Sequence, residues 1–260
     1  MIEIKNISQS YGSHHVLKDV SLNIKEKRIT AMIGANGAGK TTLFNVVANL
    51  IPAEKGDILL DGVNIHDMKS IEIAKKIAIL KQTQQLNLRV TVKELISFGR
   101  YPHSKGRLTA QDHLKIQEAI SYMKLEEIQD CFIDELSGGQ RQRAYIAMIL
   151  AQDTKYVFLD EPLNNLDIKY SVEMMTILQN LVHDLEKTVV IVLHDINFAA
   201  AFADEIVAMK DGLIIQEGEA KAIISQEVLS NVFDHDFHII DVGSRKVCVY
   251  FQPEEYSFNS

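Results

Sequence analysis

The sequence predicts an α/β fold whose parallel sheet is interrupted by a helical insert, and three observations support this. Two short apolar runs, Tyr156–Leu159 and Thr188–Leu193, flank a helical segment at Ile168–Glu186. Strand–helix–strand alternation of this kind is typical of parallel strands. A glycine-rich loop lies between a predicted strand at Arg28–Ile33 and a predicted helix. The segment from Val92 to Ala151 has helix periodicity and few β-branched runs.

Shorter segments complete the predicted order of elements. N-terminal strands are predicted at Ile2–Ile7, Val20–Ile24, Arg28–Ile33 and Asp57–Leu60, with a turn at Asp61-Gly62. Helical segments are predicted at Lys40–Leu50, Val92–Phe98, Thr109–Met123, Ser137–Leu150 and Ile168–Glu186. Beyond Gly212 we expect a strand at Leu213–Gln216, a pair of helices around Ala220–Phe233 and a β-like tail through Phe251.

Composition and charge narrow the class of protein. The 260 residues are 47 % hydrophobic and 24 % charged, which is ordinary for a globular chain. The net charge of −8 argues against a nucleic-acid partner, because phosphate binding usually requires a basic surface. Cys131 and Cys248 have no CxxC spacing, so we interpret them as reduced thiols of a cytosolic protein.

Neither a targeting segment nor a membrane span is predicted. The first residues lack a basic region followed by an apolar stretch, so we expect no signal peptide. The longest apolar run, Val189–Leu193, is far shorter than the ~20 residues that a membrane span requires. If the protein acts at a membrane, a partner must hold it there.

The loop after the third strand matches the phosphate-binding motif GxxxxGK[ST]. It consists of Gly34, Ala35, Asn36, Gly37, Ala38, Gly39, Lys40 and Thr41, with Thr42 following. The glycines let the backbone curl so that N–H groups point at phosphate oxygens, and the positive end of the next helix adds to the attraction. Lys40 is predicted to reach the β- and γ-phosphates, and the Thr41 hydroxyl to ligate Mg²⁺. The strand–loop–helix context disfavours the alternative, a chance glycine-rich turn.

Two carboxylates follow the apolar run Tyr156–Leu159. Ligands of α/β sheets bind at the carboxyl ends of strands, so Asp160 should lie beside the phosphates and hold Mg²⁺ through water. Adjacent strand residues point to opposite sides, so Glu161 should face another direction and polarise the attacking water. The alternative is a solvated acidic turn before Pro162.

A histidine, His194, follows another strand of the same sheet. Its imidazole is predicted to contact the γ-phosphate and to hold Glu161 and the water in place. Two structural alternatives stay open at this stage. One is a buried histidine with no catalytic role, and the other is a cap for the helix that begins near Asp195.

A second anion site is predicted at Leu136-Ser137-Gly138-Gly139-Gln140, which opens a helix with a serine cap and two glycines. The alternative is simply a well-capped helix. Two phosphate sites in different parts of one chain are explained by a pair of subunits. In such a homodimer, Ser137–Gln140 of each copy closes over the nucleotide held by Lys40 of the other, through an isologous interface.

Together these motifs resemble, in the same order, those of the nucleotide-binding subunit of ATP-binding cassette transporters. Leu136–Gln140 is identical to the family signature LSGGQ, and Gly34–Thr41 is similar to its Walker A loop. The resemblance implies a P-loop NTPase (RecA-like) core with an N-terminal antiparallel β subdomain and an inserted α-helical subdomain. It implies one domain over residues 1–260, divided into an α/β core at 1–86 and 154–218, a helical subdomain at 87–153 and a C-terminal extension at 219–260.

The resemblance also implies roles for individual residues, with ATP and Mg²⁺ as the bound species. The implied catalytic residues are Glu161, His194, Lys40 and Gln82. The implied nucleotide contacts are Tyr11, which stacks on adenine, together with Gly34, Asn36, Gly37, Ala38, Gly39, Lys40, Thr41 and Thr42, and in trans Ser137, Gly138, Gly139, Gln140 and Asp167. The implied magnesium ligands are Thr41, Gln82 and Asp160, of which Asp160 ends a Walker B strand. Gln82 also begins the segment that faces the permease, and Asp167 belongs to the loop that couples the two active sites.

The chain departs from the family pattern at two places. Where the family often has Thr-Ser-Ala-Leu-Asp, this chain has Leu163-Asn164-Asn165-Leu166-Asp167. Lys81 replaces the usual proline before Gln82. Neither change removes a catalytic group, but both leave the roles of Asn164 and Asn165 open.

Within the family, the chain is similar to the branch that serves importers of iron–siderophore, haem and cobalamin. The cues are Phe98–Pro102, His194–Ala200 and the tail Leu229–Asp241. This implies an ATPase that energises uptake of ferric siderophore or a related iron chelate. It implies two permease subunits, an extracytoplasmic substrate-binding protein as an indirect partner, and a peripheral location at the cytoplasmic face of the membrane. A structural alternative for Arg100–Pro102 is a helix C-terminus with a proline stop.

Other functions are weighed against this one. An importer of haem, cobalamin or another metal stays open. Non-transport ATPases of the superfamily carry a long coiled coil or two fused cassettes, and this chain has neither. A regulatory module without turnover is disfavoured by the presence of Glu161 and His194. Exporters often fuse a membrane domain to the cassette, but those with separate chains stay possible.

Overall fold

The computed structural model describes residues 1–81, 89–164, 166–243 and 245–251. The strands are β1 (Ile2–Tyr11), β2 (His14–Ile24), β3 (Ile29–Gly34), β4 (Lys55–Leu60), β5 (Val63–Asn64), β6 (Ile77–Leu80), β7 (Tyr156–Asp160), β8 (Thr188–Val192), β9 (Glu205–Lys210), β10 (Leu213–Glu219), β11 (His238–Val242) and β12 (Arg245–Val249). The helices are α1 (Lys40–Val47), α2 (Ser70–Ala74), α3 (Val92–Phe98), α4 (Tyr101–Ser104), α5 (Ala110–Tyr122), α6 (Gly138–Gln152), α7 (Ile168–Leu185), α8 (Ile196–Phe202), α9 (Ala220–Ile223) and α10 (Gln226–Phe233).

A six-stranded sheet in the order β10-β9-β3-β8-β7-β6 forms the centre of the fold. Its strands are parallel except for β10, which runs antiparallel to β9. Every residue of β3, β7 and β8 is buried, as expected for parallel strands covered on both faces. The carboxyl ends of β3, β7 and β8 therefore meet at one edge of the sheet, which is where the predicted site residues follow.

An antiparallel sheet in the order β2-β1-β4-β5 covers one face of the central sheet. Its strand β1 pairs with both neighbours, through Ile2↔Ile24 and Ile2↔Leu60. Helix α1 lies between the two sheets, and Phe44 on that helix packs edge-on against Phe158 of β7 with ring centroids 5.6 Å apart. This core positions the start of α1, and therefore the glycine-rich loop, against the central sheet.

Helices α7 and α8 pack on the other face, while the helical insert contacts the edge strand β6 through α6 and contains a buried ion pair. Arg100 Nε donates to Asp112 Oδ1 at 2.8 Å, and Arg100 Nη1 donates to the carbonyl oxygen of Ala151 at 2.7 Å. Both charged side chains are almost fully buried. A helix does end just before Arg100–Pro102, since α3 stops at Phe98. Pro102 itself lies in the first turn of α4, where its missing N–H costs no helix bond.

The C-terminal part of the chain begins at β10, which forms one edge of the six-stranded sheet. Strand β10 pairs with β9, helices α9 and α10 follow, and β11 and β12 form an antiparallel hairpin with Ile240 opposite Val247. The expected helix pair and β-like tail are thus confirmed. Within the described ranges, no helix combines the length and apolar character that crossing a bilayer requires.

Most predicted elements are present, with shifted ends. The first helix ends at Val47 and not at Leu50, because Asn49 adopts a left-handed conformation (φ 54°) and the Leu50 N–H turns back to the Asn45 carbonyl. Strands β6 and β9 were not predicted from the sequence. The residue limits of the predicted subdomains stay predictions.

Candidate functional site

The glycine-rich loop connects β3 to α1 and requires glycine at its first position. A Cβ atom at Gly34 would lie 2.2 Å from the carbonyl oxygen of Met209, so no other residue fits against β9. Gly37 has φ +82° and faces open space, which leaves the backbone free for a ligand to approach. Gly39 directly precedes α1. The free N–H groups of the first turn of α1 therefore point toward the loop, as an anion site requires.

Lys40 is buried within this loop. Its ammonium donates to the carbonyl oxygens of Gly34 at 2.8 Å and Ala35 at 3.0 Å. Burial lowers the pKa of Lys40, and the nearby charges of Glu161 and Asp160 oppose that shift. The lysine is thus a buried donor at the base of the loop, with two carboxylates in its electrostatic range.

Asp160 is the last residue of β7 and is 7 % exposed. Its Oδ1 atom has no hydrogen-bond partner among the described residues. Burial, and next the charge of Glu161, raise the pKa of Asp160. A buried carboxylate oxygen without a partner, near phosphate-binding groups, fits a divalent cation. Thr41, the second residue of α1, is exposed, whereas the predicted ligand Gln82 lies outside the described residues.

Glu161 leaves the strand in a left-handed conformation, with φ 52°, and its carboxylate is held from two sides. The side-chain amide of Asn164 donates to Glu161 Oε2 at 2.6 Å. His194 Nε2 is in hydrogen-bond contact with Glu161 Oε1. Asn164, whose role the sequence left open, therefore holds Glu161 in place. The solvated acidic turn before Pro162 is not observed, since the Glu161 side chain is only 11 % exposed.

One pocket of about 170 Å³ joins these elements. Its lining residues are Val16, Asn36, Gly37, Ala38, Gly39, Lys40, Thr41, Thr42, Glu161 and His194. Sequence reasoning missed Val16, which lies on β2 in an apolar position that gives no motif. Tyr11, predicted to stack on adenine, ends β1 and is 54 % exposed, outside this lining.

Both structural alternatives for His194 fail. Its side chain is 42 % exposed, so it is not a buried structural histidine. The helix that follows is capped by Asp195, whose Oδ1 accepts from the N–H groups of Asn197 and Phe198. The His194 side chain therefore lines the pocket that it shares with Glu161.

The LSGGQ segment forms the start of α6, away from the pocket lining. Ser137 caps the helix by accepting from the N–H of Gln140, and the Gln140 side chain accepts from the Ser137 N–H in return. Gly138 is open, whereas a Cβ atom at Gly139 would lie 2.5 Å from the Tyr170 ring. The second glycine is thus required by packing within the same chain.

Two further contacts connect α6 to the segment after β7. Gln142 Nε2 donates to the carbonyl oxygen of Pro162 at 3.2 Å, next to Glu161. Asp167 caps α7 by accepting from the N–H of Tyr170, the residue that packs on Gly139. Asn165 lies outside the described residues. The sequence pattern gave no signal for Gln142, because its partner is a main-chain atom distant in sequence.

Comparison with known proteins decides the family. Residues 17–164 match the family model described as ABC transporter, which covers more than half of the chain. The chain belongs to the ABC transporter family. It is 51 % identical over 251 residues to a petrobactin import ATP-binding protein of Bacillus subtilis (strain 168), covering 96 % of this chain and 100 % of the relative.

Other members of the ABC transporter family agree in sequence and in structure. An iron(3+)-hydroxamate import ATP-binding protein of Bacillus subtilis (strain 168) is 36 % identical, covering 92 % of this chain and 90 % of the relative. A dimeric structure of a bacterial ABC transporter cassette superposes with a TM-score of 0.72 at 31 % identity, covering 85 % of this chain and 99 % of that one. This ABC transporter subunit therefore has the predicted P-loop NTPase fold, and it binds and hydrolyses ATP.

Proposed function

We propose that this chain is the ATP-hydrolysing subunit of an importer that takes up ferric siderophore or a related iron chelate through a separate permease. The observation that carries the ATPase mechanism is the shared pocket of the glycine-rich loop, Glu161 and His194. The substrate class is supported by the relatives, which serve petrobactin import and iron(3+)-hydroxamate import and match over nearly the full length of both chains.

The phosphates of ATP bind at the loop between Gly34 and Thr42, where main-chain N–H groups and the start of α1 supply positive potential. The Lys40 ammonium, which donates to Gly34 and Ala35, turns its hydrogen bonds to the β- and γ-phosphates. The buried ammonium thereby exchanges two neutral carbonyl acceptors for negatively charged phosphate oxygens, which stabilise its charge. We assign adenine stacking to Tyr11, an exposed aromatic ring at the end of β1.

Glu161 orients and polarises the attacking water. Its two carboxylate oxygens are directed by Asn164 and His194, so the side chain has little freedom to turn away. His194 also stabilises charge on the transferring phosphoryl group, together with Lys40. Positioning and electrostatic stabilisation account for most of the acceleration in such transfers.

Mg²⁺ fits the donors present on this chain. We assign Thr41, Asp160 and Gln82 to it, because a hydroxyl, a carboxylate and an amide oxygen are hard ligands of the kind this ion prefers. When bound, the ion neutralises charge on the β- and γ-phosphates. The unpartnered Oδ1 of Asp160 is the observation that supports this assignment.

We propose that two copies form the active unit. Ser137, Gly138, Gly139 and Gln140 of one copy then close over the nucleotide of the other, with Asp167 alongside. Two observations support an arrangement in trans: the exposure of Ser137 and Gly138, and the lack of any described LSGGQ residue in the pocket lining.

Closure of the pair moves two permease subunits through the segment that begins at Gln82. The subunit lies peripherally at the cytoplasmic face, and an extracytoplasmic binding protein delivers the chelate.

Two experiments test this function. Glu161→Gln is expected to keep ATP binding and to lose turnover, because the amide cannot act as a base; near-normal ATPase activity would reject the mechanism. Uptake of radiolabelled iron(III)-siderophore is expected to fail in a strain lacking this chain and to return when the chain, but not Glu161→Gln, is supplied. Loss of haem or cobalamin uptake with normal siderophore uptake would reject the substrate class and leave the ATPase mechanism intact.

A further inference from the structure

The C-terminal hairpin is attached to α8 by a two-point hydrogen bond. Asn197 Oδ1 accepts from the main-chain N–H of Cys248 at 2.7 Å, and Asn197 Nδ2 donates to the Cys248 carbonyl at 3.1 Å. Through these bonds the amide pairs with strand β12 as a neighbouring strand would. A side-chain amide that satisfies both main-chain groups of one residue fixes distance and orientation together.

A second contact joins the same strand to the other end of the helix. The guanidinium of Arg245 lies over the ring of Phe202, 5.5 Å from its centroid, and Phe202 stacks on Phe198 at 5.9 Å. Strand β12 therefore runs along the length of α8. The helix is only seven residues long, so its position depends on such neighbours more than on its own hydrogen bonds.

The same helix begins two residues after His194. On the strand side, the N–H of Leu193 donates to the Met32 carbonyl, which fixes His194 to the central sheet. On the helix side, the Asp195 carboxylate accepts from the N–H groups of Asn197 and Phe198. His194 is held between these two supports while its ring contacts Glu161. A displacement of α8 by a fraction of an ångström is enough to weaken that contact, because hydrogen bonds depend steeply on distance and angle.

We propose that Asn197 is a positioning residue for ATP hydrolysis, and that the hairpin β11–β12 acts through it to keep His194 against Glu161. This inference rests on the roles proposed above for His194 and Glu161. It gives the C-terminal extension a part in turnover: any partner or change that lifts the hairpin from α8 lowers the hydrolysis rate without touching the nucleotide. A purely structural role for Asn197 would lower thermal stability alone.

The test separates kcat from KM in the purified full chain. Asn197→Ala is expected to lower kcat about tenfold, since sub-ångström misplacement of catalytic groups has effects of this size or larger. The KM for ATP should stay within about twofold, because the loop around Lys40 is unchanged. Lys210→Ala is the matched control: it removes a tie between β9 and α10, through Asn231 and Asp234, and should leave kcat unchanged.

A double-mutant cycle with His194 tests the route. In single-turnover assays, Asn197→Ala should cause less than about a twofold further loss when added to His194→Ala, because the ring through which it acts is gone. A full tenfold loss in that background would overturn the inference. So would an unchanged kcat in Asn197→Ala accompanied by a lower melting temperature.

A second substitution guards against a folding defect. Asn197→Asp is nearly isosteric and keeps an acceptor for the Cys248 N–H, but places a carboxylate oxygen against the Cys248 carbonyl. It should also lower kcat while KM is unchanged, and wild-type kcat in this folded variant would overturn the inference. Wild-type turnover in His194→Ala alone would instead reject the proposed role of His194, and with it this route.

Discussion

The Asn164 amide donates to Glu161 Oε2 at 2.6 Å, while His194 contacts the opposite oxygen of the same carboxylate. Glu161 is therefore clamped between one residue that follows it by a single turn and another at the end of the neighbouring strand β8. Its left-handed backbone, with φ 52°, turns the side chain out of the strand and into the pocket. The direction of this carboxylate, and not merely its presence, is what the surrounding residues determine.

Asn164→Ala removes one side of this clamp. We expect kcat for ATP hydrolysis to fall about tenfold, while the Kd for ATP stays the same, because no phosphate contact is lost. Steady-state kinetics and nucleotide titration on the same preparation measure the two quantities. Gln117→Ala, which removes an exposed amide that donates to Gln129 on the helical insert, is the control. Equal losses in affinity and kcat would contradict the role given to Asn164.

Lys40→Ala removes the buried ammonium from the loop. We expect ATP affinity to fall at least about tenfold, because a charge-assisted hydrogen bond to phosphate is lost. Folding should survive, since burial of the ammonium already lowers the pKa of Lys40, and among the described residues its hydrogen bonds go to the carbonyl oxygens of Gly34 and Ala35. Titration with a fluorescent ATP analogue and thermal melting measure both. Lys18→Ala, an exposed lysine, is the matched control, and unchanged affinity in Lys40→Ala would reject the loop as the phosphate site.

The central strands and the loop between them follow from local sequence pattern. Runs such as Tyr156–Leu159 are apolar throughout, and the GxxxxGK[ST] motif fixes where one strand ends and a helix begins. Strand β6 escaped prediction because four residues, Ile77–Leu80, are too few to distinguish a strand from a helix. Strand β9 contains both a charged first residue and a lysine at its end, and its burial depends on pairing with β3.

The sequence predicts those site residues that belong to a motif or follow an apolar strand, and it does not predict the contacts that hold them. Asp160, Glu161 and His194 each follow an apolar strand, so their convergence follows from sheet geometry. The contacts of Gln142 and Asn197 do not, because each depends on a partner distant in sequence whose position is set by tertiary packing. The contact of Asn164 with Glu161 is local, but it depends on the left-handed backbone of Glu161, which the sequence does not indicate. Gly139 was assigned to the partner's nucleotide, yet within one chain the absence of a side chain at Gly139 already makes room for the Tyr170 ring.

Gly138 and Gly139 should therefore respond differently to alanine. A Cβ atom at Gly139 meets the Tyr170 ring at 2.5 Å, so Gly139→Ala is expected to lower stability by about 1–3 kcal/mol through overpacking. A Cβ atom at Gly138 would meet no described atom within 4 Å beyond its own helix backbone and chain neighbours. Gly138→Ala should therefore fold normally and lose ATPase activity only because the contact with the partner copy is disturbed. Urea unfolding and ATPase assays distinguish the two. Adding Tyr170→Ala to Gly139→Ala should recover part of the lost stability; an equally stable Gly139→Ala would refute the packing.

Asp112, the buried partner of Arg100, should contribute to the loss of stability at acid pH. Hydrogen bonds from Thr109, to which Arg100 adds, lower the pKa of Asp112 to about 2. Because the folded pKa is depressed, this stabilisation is complete above the unfolded pKa of about 3.9 and is lost as pH falls toward about 2. Asp112→Asn should therefore be less stable than the wild type at pH 7, with a gap that narrows as pH falls through this window.

Urea unfolding from pH 7 to pH 2.5 measures that gap. Complete removal of one partner of a buried ion pair lowers the free energy of unfolding by about 3–5 kcal/mol. Asp112→Asn keeps a polar side chain of the same shape, so its loss should be smaller. Glu135→Gln, which neutralises an exposed ion pair with Arg89, is the control and should cost at most about 1 kcal/mol. A gap that is constant with pH would show that the Asp112 charge contributes nothing.

The central claim is that the loop of one copy meets the LSGGQ segment of another across ATP, and crosslinking between separate copies tests it most directly. Asn36→Cys and Ser137→Cys are made in different chains, both carrying Glu161→Gln and Cys131→Ser. Burial raises the pKa of the remaining Cys248 thiol to about 11, so that thiol stays unreactive. Mixed with Mg²⁺-ATP and a short bismaleimide, the two chains are predicted to give a crosslinked dimer. The same mixture without ATP, or with Ser121→Cys in place of Ser137→Cys, should not; equal yields in all three mixtures, or no dimer at all, would contradict the account.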